Sequence, residues 1–214
     1  MGRQLYLFLI FNIVFVLTAI SQKENSDFLF DEYKEATIYF SSVSFTNEKV
    51  NYNTMDRELY YIDKSDGLIK IVMDMLSIRV IKIDNRTFLP SKSGLQELLN
   101  ATPPIYVEYL AKVQTKAQNA GYGSTSQVSA ITTYSAAQNG LFVPDGKKME
   151  QIGFSNCYWI EQNGKKKRFA NFKQLLKIYP KHKGILDGHI KENIIDFNDT
   201  QKIVELCIYA ESLK

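Results

Sequence analysis

Hydrophobic and polar residues alternate through much of the first half of the chain. In LIKIVM and SIRVIKI the apolar side chains recur at every second position, and β-branched residues dominate. This period is typical of strands that are buried on one face. ATIYFSSVSF, EKVNYN, RELYYI and RTFLP have a similar composition and length. The sequence therefore predicts a series of short strands across residues 36–90.

Turn residues separate these segments at regular intervals. Asp66-Gly67 and Asp84-Asn85 stand between successive strand-like runs, and Asn163-Gly164 joins two more runs later in the chain. Such dipeptides tolerate the positive φ angles of tight hairpin turns. One strand in about every eight to twelve residues is the spacing of a meander. The strands are therefore predicted to pair antiparallel with their neighbours.

A helical period replaces the alternation near the end of the chain. Phe172, Leu175, Leu176 and Tyr179 recur at the three-and-four spacing of one helix face. Asn171 precedes them, and its side chain is a good acceptor for the first N–H groups of a helix. The sequence therefore predicts that a helix begins after Asn171.

Two further helices are predicted beyond the first. One spans residues 182–193, and the other, capped by Asn198 or Asp199, carries an apolar stripe between Ile203 and Leu213. The fold class that follows is α+β. We expect a mostly antiparallel β meander, forming a curved sheet, with a small C-terminal helical segment packed on or beside it.

Two segments between these regions have less regular patterns. Residues 105–116, IYVEYLAKVQTK, alternate like a strand, although Val107, Leu110 and Ala111 would also share one helix face. We interpret this segment as a strand. Residues 121–140 are rich in Ser and Thr without a nucleophile motif such as Gly-x-Ser-x-Gly. They are predicted to form a polar linker or an edge strand.

The N-terminal residues have the layout of a signal peptide. Arg3 precedes an apolar run at residues 5–20, and the small side chains of Ala19 and Ser21 fit cleavage after Ser21. A run of 16 residues is shorter than the roughly 20 that a retained anchor helix needs. We therefore expect an exported, secreted protein without a transmembrane anchor after cleavage. The predicted divisions are a signal peptide at residues 1–21, a sheet domain at residues 22–169 and a helical segment at residues 170–214.

The charge balance argues against nucleic acid as a partner. The chain has 26 Lys and Arg residues against 23 Asp and Glu, a net charge of +3, which is too small for a nucleic-acid binder. One basic run stands out, made of Lys165, Lys166, Lys167 and Arg168. We interpret it as a solvated strand edge that blocks pairing with other chains. The alternative is a salt-sensitive contact with an acidic partner.

Cys157 and Cys207 are the only cysteines. In an exported chain they could form a disulfide, and the alternative is two buried thiols on a strand and a helix. The absence of a Cys-x-x-Cys motif argues against redox catalysis and zinc binding. His182 and His189 are seven residues apart, which is the wrong spacing for a metal site on one helix. We expect no metal and no cofactor.

Aromatic residues supply the candidate binding surface. Tyr52, Tyr60 and Ile62 stand at alternating positions, and we expect them to form a row on one face of the sheet. Packing is the main role expected for this row. Tyr52 and Tyr60, with Trp159, are also the aromatic candidates for stacking against a ligand, alongside the four basic residues of the 165–168 run.

No motif pairs an acid, a base or a nucleophile, so no catalytic residues are predicted. The alternative to a binding protein is a hydrolase of glycans or peptides. It would use carboxylates such as Glu58, Asp63 or Asp74, brought together in a cleft by the fold.

Two long blocks carry a resemblance: KVNYNTMDRELYYIDKSDGLIKIV and KKKRFANFKQLLKIYPKHKGILDGHIKENIIDFNDTQKIVEL, with GYGSTSQVSAITTYS between them. They resemble a group of exported proteins of Bacteroidetes-type bacteria for which no activity is established. The resemblance implies a sheet of successive strands, a helical end and a location in the periplasm or at the outer membrane. It implies no catalytic residues. We therefore expect a non-catalytic envelope protein that binds an apolar or polymeric ligand, or another envelope protein.

Overall fold

Strands dominate the structure, a computed structural model that describes residues 27–42, 44–115, 118–120, 124–126, 132–133 and 149–214. Thirteen strands occur in this part of the chain, and all of their pairings are antiparallel. The strands are β1 (Lys34–Phe40), β2 (Phe45–Asn53), β3 (Glu58–Ile62), β4 (Ile69–Ile71), β5 (Ile78–Ile83), β6 (Arg86–Ser91), β7 (Gly94–Ala101), β8 (Pro104–Thr115), β9 (Gln118–Ala120), β10 (Ser124–Ser126), β11 (Thr132–Thr133), β12 (Met149–Gln162) and β13 (Lys165–Phe169).

Eleven of these strands form one sheet, and β9 and β10 form a separate hairpin. The main order is β13-β12-β8-β7-β6-β5-β1-β2-β3-β4, and β11 pairs with β8 outside this order. Most neighbours in the sheet are also neighbours in sequence, as in a meander, but β1 pairs with β5 and β8 pairs with β12. The predicted α+β meander is thus confirmed, and the strand expected at residues 105–116 is β8, which covers Pro104–Thr115.

The turn residues adopt the positive φ angles that the sequence predicts for tight turns. Asn163 and Gly164 have φ angles of 52° and 71°, as a two-residue hairpin turn of type I′ requires. Gly67 has a φ of 70° at the end of the β3–β4 hairpin. Local turn chemistry therefore fixes where these strands reverse.

The prediction that Tyr52, Tyr60 and Ile62 form a row on one face of the sheet is wrong. Across the β2–β3 hairpin Tyr52 lies opposite Leu59, whereas Tyr60 lies opposite Asn51. Because paired residues point to the same face and neighbours alternate, Tyr52 and Tyr60 lie on opposite faces. The register of a hairpin is fixed by its turn, and the turn here places the two tyrosines out of phase.

Three α-helices follow the last strand. Asn171 accepts a hydrogen bond from the Gln174 N–H at 2.9 Å, so the predicted cap is confirmed. Asp199 caps the last helix by accepting from the Lys202 N–H at 3.1 Å. None of the helices in the described residues is long and apolar enough to span a bilayer. The helices are α1 (Phe172–Ile178), α2 (Lys183–Glu192) and α3 (Thr200–Ser212), and short 3-10 turns occupy Met75–Ser77 and Pro180–His182.

The helices cover one face of β8, β12 and β13. We call the apolar interior between them the helix-covered core. It combines strand residues such as Val107, Tyr158 and Phe169 with helix residues such as Leu186 and Leu206, all fully buried. Burying a large apolar side chain contributes about 1.5–3 kcal/mol. This contact therefore joins the helical segment firmly to the sheet.

The other half of the sheet buries its own apolar face by curving. We call its interior the curl core. It contains Phe30, Val50, Leu59, Ile81 and Phe88, among other buried residues. No helix among the described residues covers it, and strands from the two sides of the curve approach each other instead.

Tyr52 closes the curl. Its hydroxyl accepts a hydrogen bond from the Leu95 N–H at 3.1 Å, which connects β2 to β7 across the interior. Gly94, next to Leu95, has a φ of 126°, and a Cβ at this position would collide with the Tyr52 hydroxyl. Thr54 lies within hydrogen-bonding distance of Gln151 in β12, at 3.1 Å between the side-chain oxygens.

The predicted signal peptide and most of the segment at residues 121–140 lie outside the described residues.

Candidate functional site

The two terminal strands of the sheet, β4 and β13, have different chemistry. β4 reads Ile-Lys-Ile, and Ile69 and Ile71 are 58% and 37% exposed. The next residues along the chain include Met73, which is 93% exposed. We call this region, residues 68–73, the β4 edge. Large exposed apolar side chains that lie together mark interaction sites more often than isolated ones do.

An apolar groove lies beside the β4 edge, at the open end of the curl. Its volume is about 400 Å³, within the range of ligand pockets. Among the described residues that line it, Thr46 and Glu48 are polar. We call this feature the curl groove. Its apolar lining is Ile38, Phe40, Tyr61, Ile71, Val72, Met73 and Ile78.

Lys70 does not protect this edge. Its ammonium group is paired with Asp63 and with Asp66, the latter at 2.8 Å. Hydrogen bonds from Lys70 and Ser65 hold the pKa of Asp63 far below its usual value, so the pair stays ionised. The lysine is therefore held against its own hairpin, and the two isoleucines are left facing solvent.

The basic run 165–168 occupies the opposite edge, strand β13. All four side chains are exposed, but alternation divides them between the two faces of the strand. Lys166 lies 3.8 Å from the Tyr106 ring and donates a hydrogen bond to Gln96 at 3.1 Å. Burial lowers the pKa of Lys166. Arg168 stacks over Trp159 at 6.0 Å, on the same side of the sheet as Lys166.

The other predicted binding residues do not form one site. Tyr52 is 2% exposed and belongs to the curl core; burial raises its pKa to about 12. Tyr60 contacts Phe28 edge-to-face at 5.5 Å and donates to Asp56 at 3.0 Å. Trp159 is half-buried on β12, and its indole N–H has no hydrogen-bond acceptor in the described part of the chain. Lys165 and Lys167 point to the face opposite Lys166, where Lys167 donates to Gln162 at 2.9 Å.

The two cysteines are separate thiols. Cys157 and Cys207 are both buried and unpaired. Cys207 lies in the helix-covered core together with Tyr158, and because neighbouring strand residues alternate, Cys157 faces the other side of the sheet. Burial raises the pKa of Cys157 to about 11 and that of Cys207 to about 12. Neither thiol has the environment of a reactive nucleophile.

Two of the three carboxylates considered for hydrolysis, Asp63 and Asp74, have structural partners. Asp63 pairs with Lys70, and Asp74 accepts from the Ser77 N–H at the start of a 3-10 turn. Glu58 begins β3, half-buried at the end of the β2–β3 turn. In the part of the chain that the structure describes, no group of three His, Cys, Asp or Glu side chains could hold a metal ion.

The two buried carboxylates have partners within the protein, Glu97 more of them than Glu108. Glu97 receives two hydrogen bonds from Arg86 at 2.8 Å and one from the Tyr109 hydroxyl at 2.6 Å. Glu108 accepts from Ser93 at 3.2 Å and lies 3.9 Å from Arg57. Burial raises the pKa of Glu108, and Arg57 opposes this shift. With three hydrogen bonds from the protein, Glu97 stabilises the fold and is poorly placed to bind substrate.

The apolar site at the β4 edge was not predicted as a binding surface. LIKIVM was interpreted as a half-buried strand, whereas only three of its residues form β4. The available signal was that apolar side chains occur on both faces of this short run, at Leu68, Ile69, Ile71 and Met73. A strand that is apolar on both faces is either central in a sheet or unprotected at its edge.

Comparisons with known proteins found no match. No protein-family model matches the chain, and neither a curated protein nor a solved structure matches it.

Proposed function

We propose that the protein is a non-catalytic binding module whose β4 edge takes up an extended, apolar segment of a partner polypeptide. The observation that carries this proposal is the unprotected edge: Ile69, Ile71 and Met73 are exposed there, beside the apolar curl groove. Nothing in the geometry of the described residues favours the alternative hydrolase over this function.

The backbone of β4 supports strand addition. A strand has hydrogen-bonding groups on both sides, and within the described residues β4 pairs on one side only, with β3. The other side offers N–H and C=O groups to a further strand. Peptides that add to a sheet edge gain affinity from these backbone bonds and specificity from pockets that accept alternate side chains. The curl groove is such a pocket.

The shape of the site favours a chain over a small enclosed ligand. The exposed apolar residues continue along the sequence from Leu68 to Met73 and to Leu76, which is 68% exposed. An extended peptide advances about 3.3 Å per residue and could contact several of them at once. The predicted signal peptide, if cleaved as expected, would place this partner in the periplasm or at the outer membrane.

Peptide display provides the test. A random peptide library is selected against the protein, and enriched peptides are synthesised in normal and alternately N-methylated forms. We expect enriched peptides to have apolar residues at alternate positions, and N-methylation to weaken them at least about 10-fold, because it removes the backbone donors that strand addition uses.

Two matched double variants locate the site. Ile69→Lys/Ile71→Lys places charges on β4 and should lower peptide affinity at least about 10-fold. Ile185→Lys/Ile208→Lys changes two isoleucines on the helices that are 54% and 42% exposed and should leave affinity unchanged. Equal affinity of both variants would overturn the proposal. So would a hydrophobic dye that occupies the curl groove while no peptide is enriched, because that result points to a small apolar ligand.

A further inference from the structure

The basic residues of the chain are concentrated in one segment. Residues 165–191 contain nine Lys or Arg and a single acidic residue, Asp187, a net charge of +8 at pH 7. The whole chain has a net charge of only +3, so the remaining residues together carry −5. The nearly neutral total conceals two regions of opposite charge.

Ion pairing increases this asymmetry. Outside the segment seven basic residues form ion pairs with carboxylates in the described part of the chain. Inside it only Lys191 does so, with Asp187 at 2.6 Å. That pair uses the single carboxylate of the segment. The other eight cations have no carboxylate within ion-pairing distance among the described residues, so no ion pair neutralises their charge.

Several of these cations surround a groove with an apolar floor. The groove lies between α1 and α2 and has a volume of about 490 Å³. Lys173 and Lys177 stand one helical turn apart on one bank. Lys183 and Asp187 stand on the other, and Asp187 is the carboxylate that pairs with Lys191. All three lysines are exposed. The apolar part of the lining is Phe172, Leu176 and Pro180.

We infer that the α1–α2 surface docks on anionic phospholipid in a bilayer. Lysines that flank an apolar surface suit the boundary between headgroups and acyl chains, because their stems cover apolar area while their ammonium groups reach phosphate. A soluble polyanion would use the charge alone and would leave Phe172, Leu176 and Pro180 without a role. This surface is separate from the β4 edge, so the inference does not depend on the proposed function.

Vesicle binding tests the inference directly. The chain from Gln22 onward retains every described residue, and its co-sedimentation is measured with vesicles of phosphatidylglycerol and phosphatidylcholine in equal parts, and with phosphatidylcholine alone. We expect binding to the anionic vesicles only. It should weaken between about 0.1 M and about 1 M salt, where the screening length falls from about 10 Å to about 3 Å.

A charge-matched pair of variants assigns the surface. Lys173→Gln/Lys177→Gln/Lys181→Gln/Lys183→Gln should reduce partition to anionic vesicles by about 100-fold or more, since each basic residue near such a surface contributes about 1 kcal/mol. Arg79→Gln/Lys82→Gln/Lys92→Gln/Lys112→Gln removes the same charge from exposed positions on the sheet region and should retain most of the binding. Circular dichroism confirms that both variants fold, and substituting arginine at the four helical positions should preserve binding.

Three results would overturn the inference. Equal losses of vesicle binding in the two glutamine variants would show that binding depends on the net charge of the protein and not on this surface. Equal binding to neutral vesicles would show that headgroup charge has no part. Binding to heparin or inorganic phosphate that is as tight as binding to anionic vesicles would show that the apolar floor contributes nothing, and that the ligand is a soluble anion.

Discussion

β13 and β4 are the two end strands of the same sheet, but their sequences differ. Each of residues 165–168 in β13 is Lys or Arg. In β4 the residues before and after the paired Lys70 are Ile69 and Ile71. A free sheet edge invites pairing with other chains, and charges, lysine above all, are a common way to prevent it. One edge of this protein has that protection and the other lacks it. This contrast supports the proposal that the β4 edge binds a partner.

The two halves of the sheet also bury their apolar faces differently. Beside β13, three helices cover the sheet. Beside β4, the sheet curves over itself, and the closure depends on a few contacts such as the one between Tyr52 and Leu95. The helix-covered half therefore presents charge at its surface, while the curled half leaves an apolar groove at its open end.

Two phenylalanines offer the strongest test of this contrast. Phe169 at the end of β13 is fully buried and stacks on Tyr158 at 5.5 Å. Phe169→Ala should lower the free energy of unfolding by about 3–5 kcal/mol. Phe45 at the start of β2 is 63% exposed, so Phe45→Ala should change it by less than about 0.5 kcal/mol. Urea unfolding measures both free energies, and similar losses would contradict the burial of Phe169 beneath the helices and the exposure of Phe45.

The closure of the curl should be nearly as sensitive. Gly94→Ala places a methyl group against the Tyr52 hydroxyl at a φ of 126°, and strain with overpacking should cost about 2–4 kcal/mol. Gly67→Ala is the control, because Gly67 also has a positive φ but faces open space, and it should cost about 1 kcal/mol. Thermal unfolding compares the variants; equal shifts in Tm would show that the closure does not limit stability.

The protection of the β13 edge can be removed. In Lys165→Ile/Lys167→Ile the apolar side chains should permit self-association, with a gain of about 1–2 kcal/mol from new cross-strand pairs. Light scattering after gel filtration should show a mass that rises with concentration. Lys82→Ile/Lys112→Ile makes the same change on strands β5 and β8 inside the sheet. The mass of this control should stay the same at every concentration. Association of the control alone would contradict this role of β13.

Acid stability should give the smallest effect. Burial raises the pKa of Glu211, but hydrogen bonds from Lys214, Tyr179 and Gln162 outweigh it and hold the pKa below the usual 4.5. Because the folded state binds this proton less readily, its contribution is complete above about pH 4.5 and is lost as pH falls through the lowered pKa. Glu211→Gln should therefore lower Tm at neutral pH and reduce the fall in Tm on acidification.

A control on the same helix completes this measurement. Glu205 is exposed and contacts Gln201, so Glu205→Gln removes a carboxylate without disturbing the Glu211 contacts. An acid dependence that is unchanged in Glu211→Gln, or reduced equally in Glu205→Gln, would contradict the assignment.

Local patterns were sufficient to predict most elements of the fold. The alternation in SIRVIKI marks β5, the Asn163-Gly164 turn joins β12 to β13, and the Asn171 cap begins α1. These features depend on residues close in sequence. The pairing of β1 with β5 and the closure of β2 on β7 depend on distant residues, and periodicity carries no information about them. The position of β4 at the edge therefore had to come from the structure.

The predicted site residues show the same limit. Aromatic character selected Tyr52, Tyr60 and Trp159, but register and curvature place them on different surfaces. Alternation within the 165–168 run already implied that its charges divide between two faces. The charge excess of residues 165–191 was also countable from the sequence, and only the fold shows that lysines of α1 and α2 surround one groove.

The closing contacts of the curl have a consequence for synthesis. Thr54 meets Gln151, 97 residues later, and the ribosome delivers the N-terminal part first. The hairpins of β1–β6 can form early, but contacts between distant residues are slow to form, and this one must wait until β12 has emerged. The buried residues of the curl core lie between Phe30 and Leu95, so this core can close before β12 emerges, and only its contact with β12 is delayed. Ile105 and Val107 of β8 wait longer, because their partners in the helix-covered core come from β12 and the helices. Chaperones and aggregation would compete for these exposed apolar residues in the interval.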